Sequence, residues 1–189
     1  MQWQTGRQPT AHLNSIVRHQ GHMRGADIQN RVYGWLSERY PEGPEWDRAG
    51  FHCFRECPLS IRMIPAIDTL ESEISNGAWG QLLWNTLPNW RELLATATDG
   101  YLLIGAHAHA SAARELAVKL AEHAEACAQA QAAVTDEDSF NRSFGRFTSP
   151  GYGDVDFSAQ VTIANADSEQ SRLAWLEANS QSVLEALDV

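Results

Sequence analysis

Lysine is almost missing from this chain: of 14 basic residues only Lys119 is a lysine, and 24 Asp and Glu bring the net charge to −10. Binding nucleic acid directly requires a basic face that releases counterions, so this balance argues against it. Cysteine is scarce as well. Cys53, Cys57 and Cys127 are an odd number in 189 residues, which fits reduced thiols better than a disulfide framework. No apolar run approaches the ~20 residues of a membrane span. The opening MQWQTGRQPTAHLN lacks the basic-then-apolar order of a secretory signal, so a cytoplasmic location is expected. A Gly-rich phosphate loop, a Gly-x-Ser-x-Gly elbow and an HExxH motif are also missing.

The metal-ligating types that do occur are incomplete sets. His19 and His22 are three apart with Gly21 between them, and His52, Cys53 and Cys57 have no second pair at finger-like spacing. Zinc needs four ligands, or three and a water. No metal and no cofactor is expected.

What is present is apolar surface and acid. The chain is 43% hydrophobic with seven Trp, enough to bury a core in one domain. Residues 1–91 hold nine acids and nine bases, whereas residues 92–189 hold fifteen acids and five bases. The second half therefore carries the whole net charge, which favours a basic partner. Solubility is the plainer explanation of the same charge.

Periodicity predicts an all-α, compact multi-helix domain over residues 26–189 behind a partly mobile extension, residues 1–25. Asp27 caps a first helix to about Tyr40, and the connection to Pro58 carries the anchors Phe51 and Phe54. A helix follows to Ser75, with Pro65 kinking it or marking its start. After Pro88, Asn89 and Glu92 form a capping-box-like start for a helix closed by Gly105. A long Ala-rich helix spans residues 111–134, with Ala113, Leu116, Ala117, Leu120, Ala124 and Cys127 in one stripe and Glu115 paired to Lys119. Asp136, Glu137 and Asp138 open a short helix bearing Phe140, Phe144 and Phe147. Residues 155–163 alternate like a strand, at most one short strand-like segment. Asp167 with Gln170 starts a last helix to about Leu187.

The centre of the chain is residues 70–90, LESEISNGAWGQLLWNTLPNW, which carry no charge from Ser75 to Trp90. A helix uncharged all round is buried. Asn76 and Gly77 tolerate the left-handed conformation and mark a turn inside it. Gln81 and Asn85, four apart, stack on one side, and buried amides must be hydrogen-bonded. Glu71 and Glu73 are the nearest carboxylates, so a closed polar network across the turn is expected. As a catalytic pair Glu71 and Glu73 are poorly placed, because residues two apart on a helix point about 200° apart. His107 and His109 meet the same objection.

This run, followed by LLIGA at residues 102–106 and an Ala-rich helix, resembles the C-terminal domain of the DNA-mimic-protein-nineteen family over about residues 54–189. The family pattern falls on Glu73, Asn76, Gly77, Trp79, Gln81 and Asn85, with Ala78 where the family usually has a second Gly. The resemblance implies a bacterial helical domain, acting in transcription regulation as a homodimer, whose carboxylates imitate DNA phosphates on the basic face of a regulator. Those motif residues are expected to be structural. Asp136, Glu137, Asp138, Asp154, Asp156, Asp167 and Glu169 are the expected partner contacts. Two alternatives stay open: a small hydrolase-like pocket near Glu73, and a helical domain with an unrelated protein partner.

Overall fold

The computed structural model describes residues 23–40, 55–148, 158–165 and 167–188, and all regular structure among them is helical. Most of the uncharged run lies in α2 (Leu59–Thr86), on which α3, α4, α5, α6 and α8 pack. Ile61, Ile64, Ile67, Leu70, Leu82 and Leu83 of α2 are fully buried. Pro58 precedes the first helical residue, and its carbonyl accepts the N–H groups of Ile61 and Arg62 at 3.0 and 3.1 Å. Pro65 is accommodated within regular helix.

α2 breaks at one place only. Gly77 (φ −160°, ψ 24°) and Ala78 (φ 60°, ψ −166°) leave helical geometry, and a second helical segment starts at Trp79. The expected turn is therefore present, but the positive φ falls on Ala78, one residue beyond the Asn76 and Gly77 pair. That corner of backbone space suits glycine and costs a Cβ-bearing residue about 1–3 kcal/mol. Ala78→Gly should accordingly raise stability by about 1 kcal/mol, after glycine's larger unfolded-state entropy is subtracted. A chain of this size would melt about 2–4 °C higher. An unchanged or lower melting temperature in a calorimetric scan would show the kink to be unstrained.

α3 (Trp90–Leu103) packs on α2 and folds back through a three-residue link into α4 (His107–Ala132). The link is a Schellman turn: Gly105 sits at φ +77°, Ala106 N–H reaches Tyr101 O at 2.8 Å and Gly105 N–H reaches Leu102 O at 3.2 Å. At the start of α3 the Asn89 carbonyl, not a side-chain capping box, takes the N–H groups of Glu92 and Leu93. α4 begins four residues earlier than Ser111, and its stripe of Ala113, Leu116, Leu120 and Cys127 is buried. Burial pushes the Cys127 thiol up to about 11, so it is an inert core group. Glu115 and Lys119 pair at 3.5 Å as expected.

α5 (Glu137–Thr148) docks its Phe140, Phe144 and Phe147 around Trp84 of α2, with ring centroids 6.0, 5.7 and 5.9 Å away. Its end presses on Gly80, where an added Cβ would lie 1.8 Å from Phe147 O. Residues 158–163, expected as part of a strand-like segment, lie in α6 (Ser158–Ala164); residues 155–157 lie outside the described residues. Ala159, Gln160 and Ile163 bury one helical face against α2 and α4, so packing overrides the alternation. The last helix is two: α7 (Asp167–Ala178) and α8 (Ser180–Leu187) meet at Asn179, whose Nδ2 donates to Trp175 O at 2.8 Å. α1 (Gly25–Arg39) packs on α7 and α8. Its cap position is Arg24, and Asp27 pairs with Arg24 at 3.1 Å. The N-terminal extension up to residue 22, Phe51, His52, Cys53 and Phe54 lie outside the described residues.

Candidate functional site

The motif residues close a network across the kink. Glu73 lies on the last turn before it, and its Oε2 accepts Gln81 Nε2 and Asn85 Nδ2, each at 2.9 Å. Gly77 makes room for this, because a Cβ there would lie 2.1 Å from Gln81 Oε1. Asn76 is exposed and donates to Ser72 Oγ at 3.3 Å. The amide of Trp79, released by the break, donates to Gln160 Oε1 of α6 at 3.0 Å. A buried backbone donor needs such a partner, and Gln160 is one that sequence spacing did not point to. The Trp79 ring lies 4.7 Å from that of His123 on α4. Glu73 is half-buried, its Oε2 is committed to two amides, and these contacts tie the helical segment before the break to the one after it. The arrangement splints the kink.

A second network holds the other carboxylate. Glu71 Oε1 accepts Tyr101 Oη of α3 at 3.1 Å and Ser168 Oγ of α7. One turn away, Asp68 accepts Tyr33 Oη of α1, and its Oδ1 lies 2.6 Å from Nη1 of Arg172, a guanidinium only 3% exposed. Burial pushes Glu71 above its ordinary value, against the opposing pull of Ser168, Arg172 and Tyr101. Burial and the neighbouring carboxylates drive Tyr33 and Tyr101 upward, so both phenols stay protonated donors. His109 flanks the network with its ring 5.2 Å from Tyr101 and Nε2–H donating to Asn165 O at 3.1 Å, while His107 is exposed. Glu71 and Glu73 thus serve two separate networks, as the 200° argument requires. Tyr33, Asp68, Ser168 and Arg172 were not legible, because three helices far apart in sequence supply them.

The expected contact residues are scattered. Asp136 caps α5: its Oδ1 accepts Ser139 N–H at 2.7 Å, and Ser139 Oγ accepts Asp136 N–H at 3.0 Å. These bonds with Ser139 hold its carboxyl below the usual range. Glu137 and Asp138 are exposed on the first turn of α5, and Glu169 is exposed on the first turn of α7. Asp167 is the first residue of α7; Asp154 and Asp156 lie outside the described residues. α5 rests on α2 and α4, whereas α7 rests on α1 and α8, so the described candidates occupy two different helix starts. The outer face of α4 supplies carboxylates that charge counting did not single out. Glu115, Glu122 and Glu125 are exposed at intervals of seven and three, one side of a helix that leads into the α5 cap. No group of three or more His, Cys, Asp or Glu among the described residues is arranged to hold a metal, and no helix there is long and apolar enough to cross a membrane.

An all-α bundle, splinted internally by two carboxylate networks and exposing acids on its later helices, defines the class of protein. The family model of the DMP19-like protein matches residues 55–179, and the chain belongs to that family. No curated protein and no solved structure matches it.

Proposed function

We propose that this chain is a non-catalytic acidic interaction protein, and specifically a mimic of DNA that occupies the basic DNA-binding face of a transcription regulator. The observation that carries the reading is the start of α5. Asp136, Glu137 and Asp138 are all exposed there, Asp136 held in place by its capping bonds to Ser139, on a helix anchored through Trp84. With Glu122 and Glu125 on α4 they offer fixed negative charge to arginine and lysine side chains, the mirror of phosphate recognition. Membership of the DMP19-like family supports the same reading. Cytoplasmic location and a homodimer belong to this proposal.

The hydrolase-like alternative at Glu73 finds no support in the geometry, since the carboxylate it would use braces the kink. Its Oε2 accepts two amides of the same helix.

The test is capture from native lysate at low salt, elution in salt steps, and competition with duplex DNA. A basic DNA-binding protein should be retained, displaced by duplex DNA and released by moderate salt. Glu137→Lys combined with Asp138→Lys and Glu122→Lys should weaken capture at least tenfold with an unchanged circular dichroism spectrum. Capture that ignores salt and DNA, or that survives the triple reversal, would replace mimicry with an unrelated protein contact.

A further inference from the structure

An open groove of about 320 Å³ runs between α3 and α4, and neither carboxylate network uses it. Its α3 side is one helical face, residues 91, 94, 95 and 98, closed on the α4 side by Arg114 and Ala117. Leu94 and Thr98, 1% and 7% exposed, form the floor; the small side chains of Ala95 and Ala117 open the walls. Two guanidiniums stand at the rim. That of Arg91 is held over the Trp90 ring, 4.3 Å from its centroid.

Both arginines lack a carboxylate partner within 4.0 Å among the described residues. The acids next to them in sequence are engaged elsewhere: Glu92 with Arg55 at 2.6 Å and Glu115 with Lys119 at 3.5 Å. Asp99 is the single acid lining the groove, so the local balance is positive on a chain of net charge −10. An apolar floor beside two guanidiniums that have no carboxylate partner within 4.0 Å among the described residues is complementary to an amphipathic anion. Arginine recognises a carboxylate through two parallel N–H bonds, and the volume falls at the small end of ligand sites, about 300–1,000 Å³.

We infer that this groove is a binding site for a small organic carboxylate, its apolar body along Ala95 and Ala117 above the buried Leu94 and its head between Arg91 and Arg114. The site is separate from the acidic face and does not depend on the DNA-mimic reading.

The experiment is a titration of the full chain with hexanoate, followed by amide chemical shifts, with hexan-1-ol and inorganic phosphate as parallel probes. Hexanoate should shift the amides of Leu94, Ala95, Thr98 and Ala117 in a saturable manner, while the alcohol and phosphate at equal concentration leave them in place. Arg91→Gln with Arg114→Gln should weaken binding at least tenfold. Ala95→Trp should abolish it by filling the groove; all three substituted side chains are exposed, so the spectrum of the fold is retained. Shifts centred elsewhere, equal shifts with phosphate or hexanol, or hexanoate binding untouched by the double substitution would each overturn the assignment.

Discussion

Arg172→Met is expected to cost about 3 kcal/mol, the low end for breaking a buried pair, because it leaves the half-buried carboxylates of Asp68 and Glu71 with no cation. Arg172 is the sole base in a network of Asp68, Glu71, Tyr33, Tyr101 and Ser168, and it lies 2.6 Å from Asp68 Oδ1. Urea unfolding measures the loss. Adding Asp68→Leu should restore much of it, since removing a whole buried pair costs far less than removing half; no recovery in the double variant would show that Arg172 acts through packing alone. The same cluster sets a pH dependence. Glu71 has its folded pKa raised by burial, so the folded state keeps a proton that the unfolded chain releases. Its contribution is fully present below the unfolded value of about 4.5 and fades as pH rises through the folded value. Arg172→Met removes an interaction that lowers the Glu71 pKa and should widen that window, while Glu71→Gln in the same background should flatten it.

Trp84→Ala should cost a similar amount, about 3–5 kcal/mol for an aromatic core side chain, and its effect on function should exceed its effect on the rest of the fold. Trp84 is 7% exposed and is the surface on which Phe140, Phe144 and Phe147 rest, with Phe140 and Phe144 stacked 5.4 Å apart. Removing it takes away the seat of α5 and frees the helix that carries Glu137 and Asp138. Partner capture should therefore fall although no charge has changed, and hydrogen exchange should accelerate over residues 137–148 before it does in α2 and α3. Trp84→Phe, which keeps most of the contact, should do little to either. Full capture by Trp84→Ala would mean that the acids act as loose charge rather than as a positioned array.

Local features of the chain were readable where the reason for them was local. The uncharged run of residues 75–90 is buried at Trp79, Gly80, Leu82, Leu83, Trp84, Thr86 and Trp90 but exposed at Ser75, Asn76 and Pro88, and the pairing of Glu73 with Gln81 and Asn85 was expected from the amides stacking beside the nearest carboxylates across the turn. The stop at Gly105 and the stripe of α4 depend on a few consecutive residues and appear as expected. Periodicity misled where packing outweighed it. Residues 158–163 alternate but lie as a helix, because Ala159 and Ile163 reach the core together only at a spacing of four and Gln160 is needed at the Trp79 amide. Asn76 and Gly77 marked the kink, yet the positive φ fell on Ala78, since Gln81 has to cross Gly77 to reach Glu73.

The sequence by itself determined the helical class, the family, the acidic second half and the carboxylate that braces the kink. All of these rest on composition, on period or on residues within a few turns of each other. Only the tertiary structure decided that Ser168 donates to Glu71 while Arg172 pairs with Asp68 one turn away, that Asp136 caps α5 beside the exposed Glu137 and Asp138, and that Arg91 and Arg114 line one groove. Side chains from separate helices share a site only through the angle and register at which the helices pack, and that follows from the whole core at once.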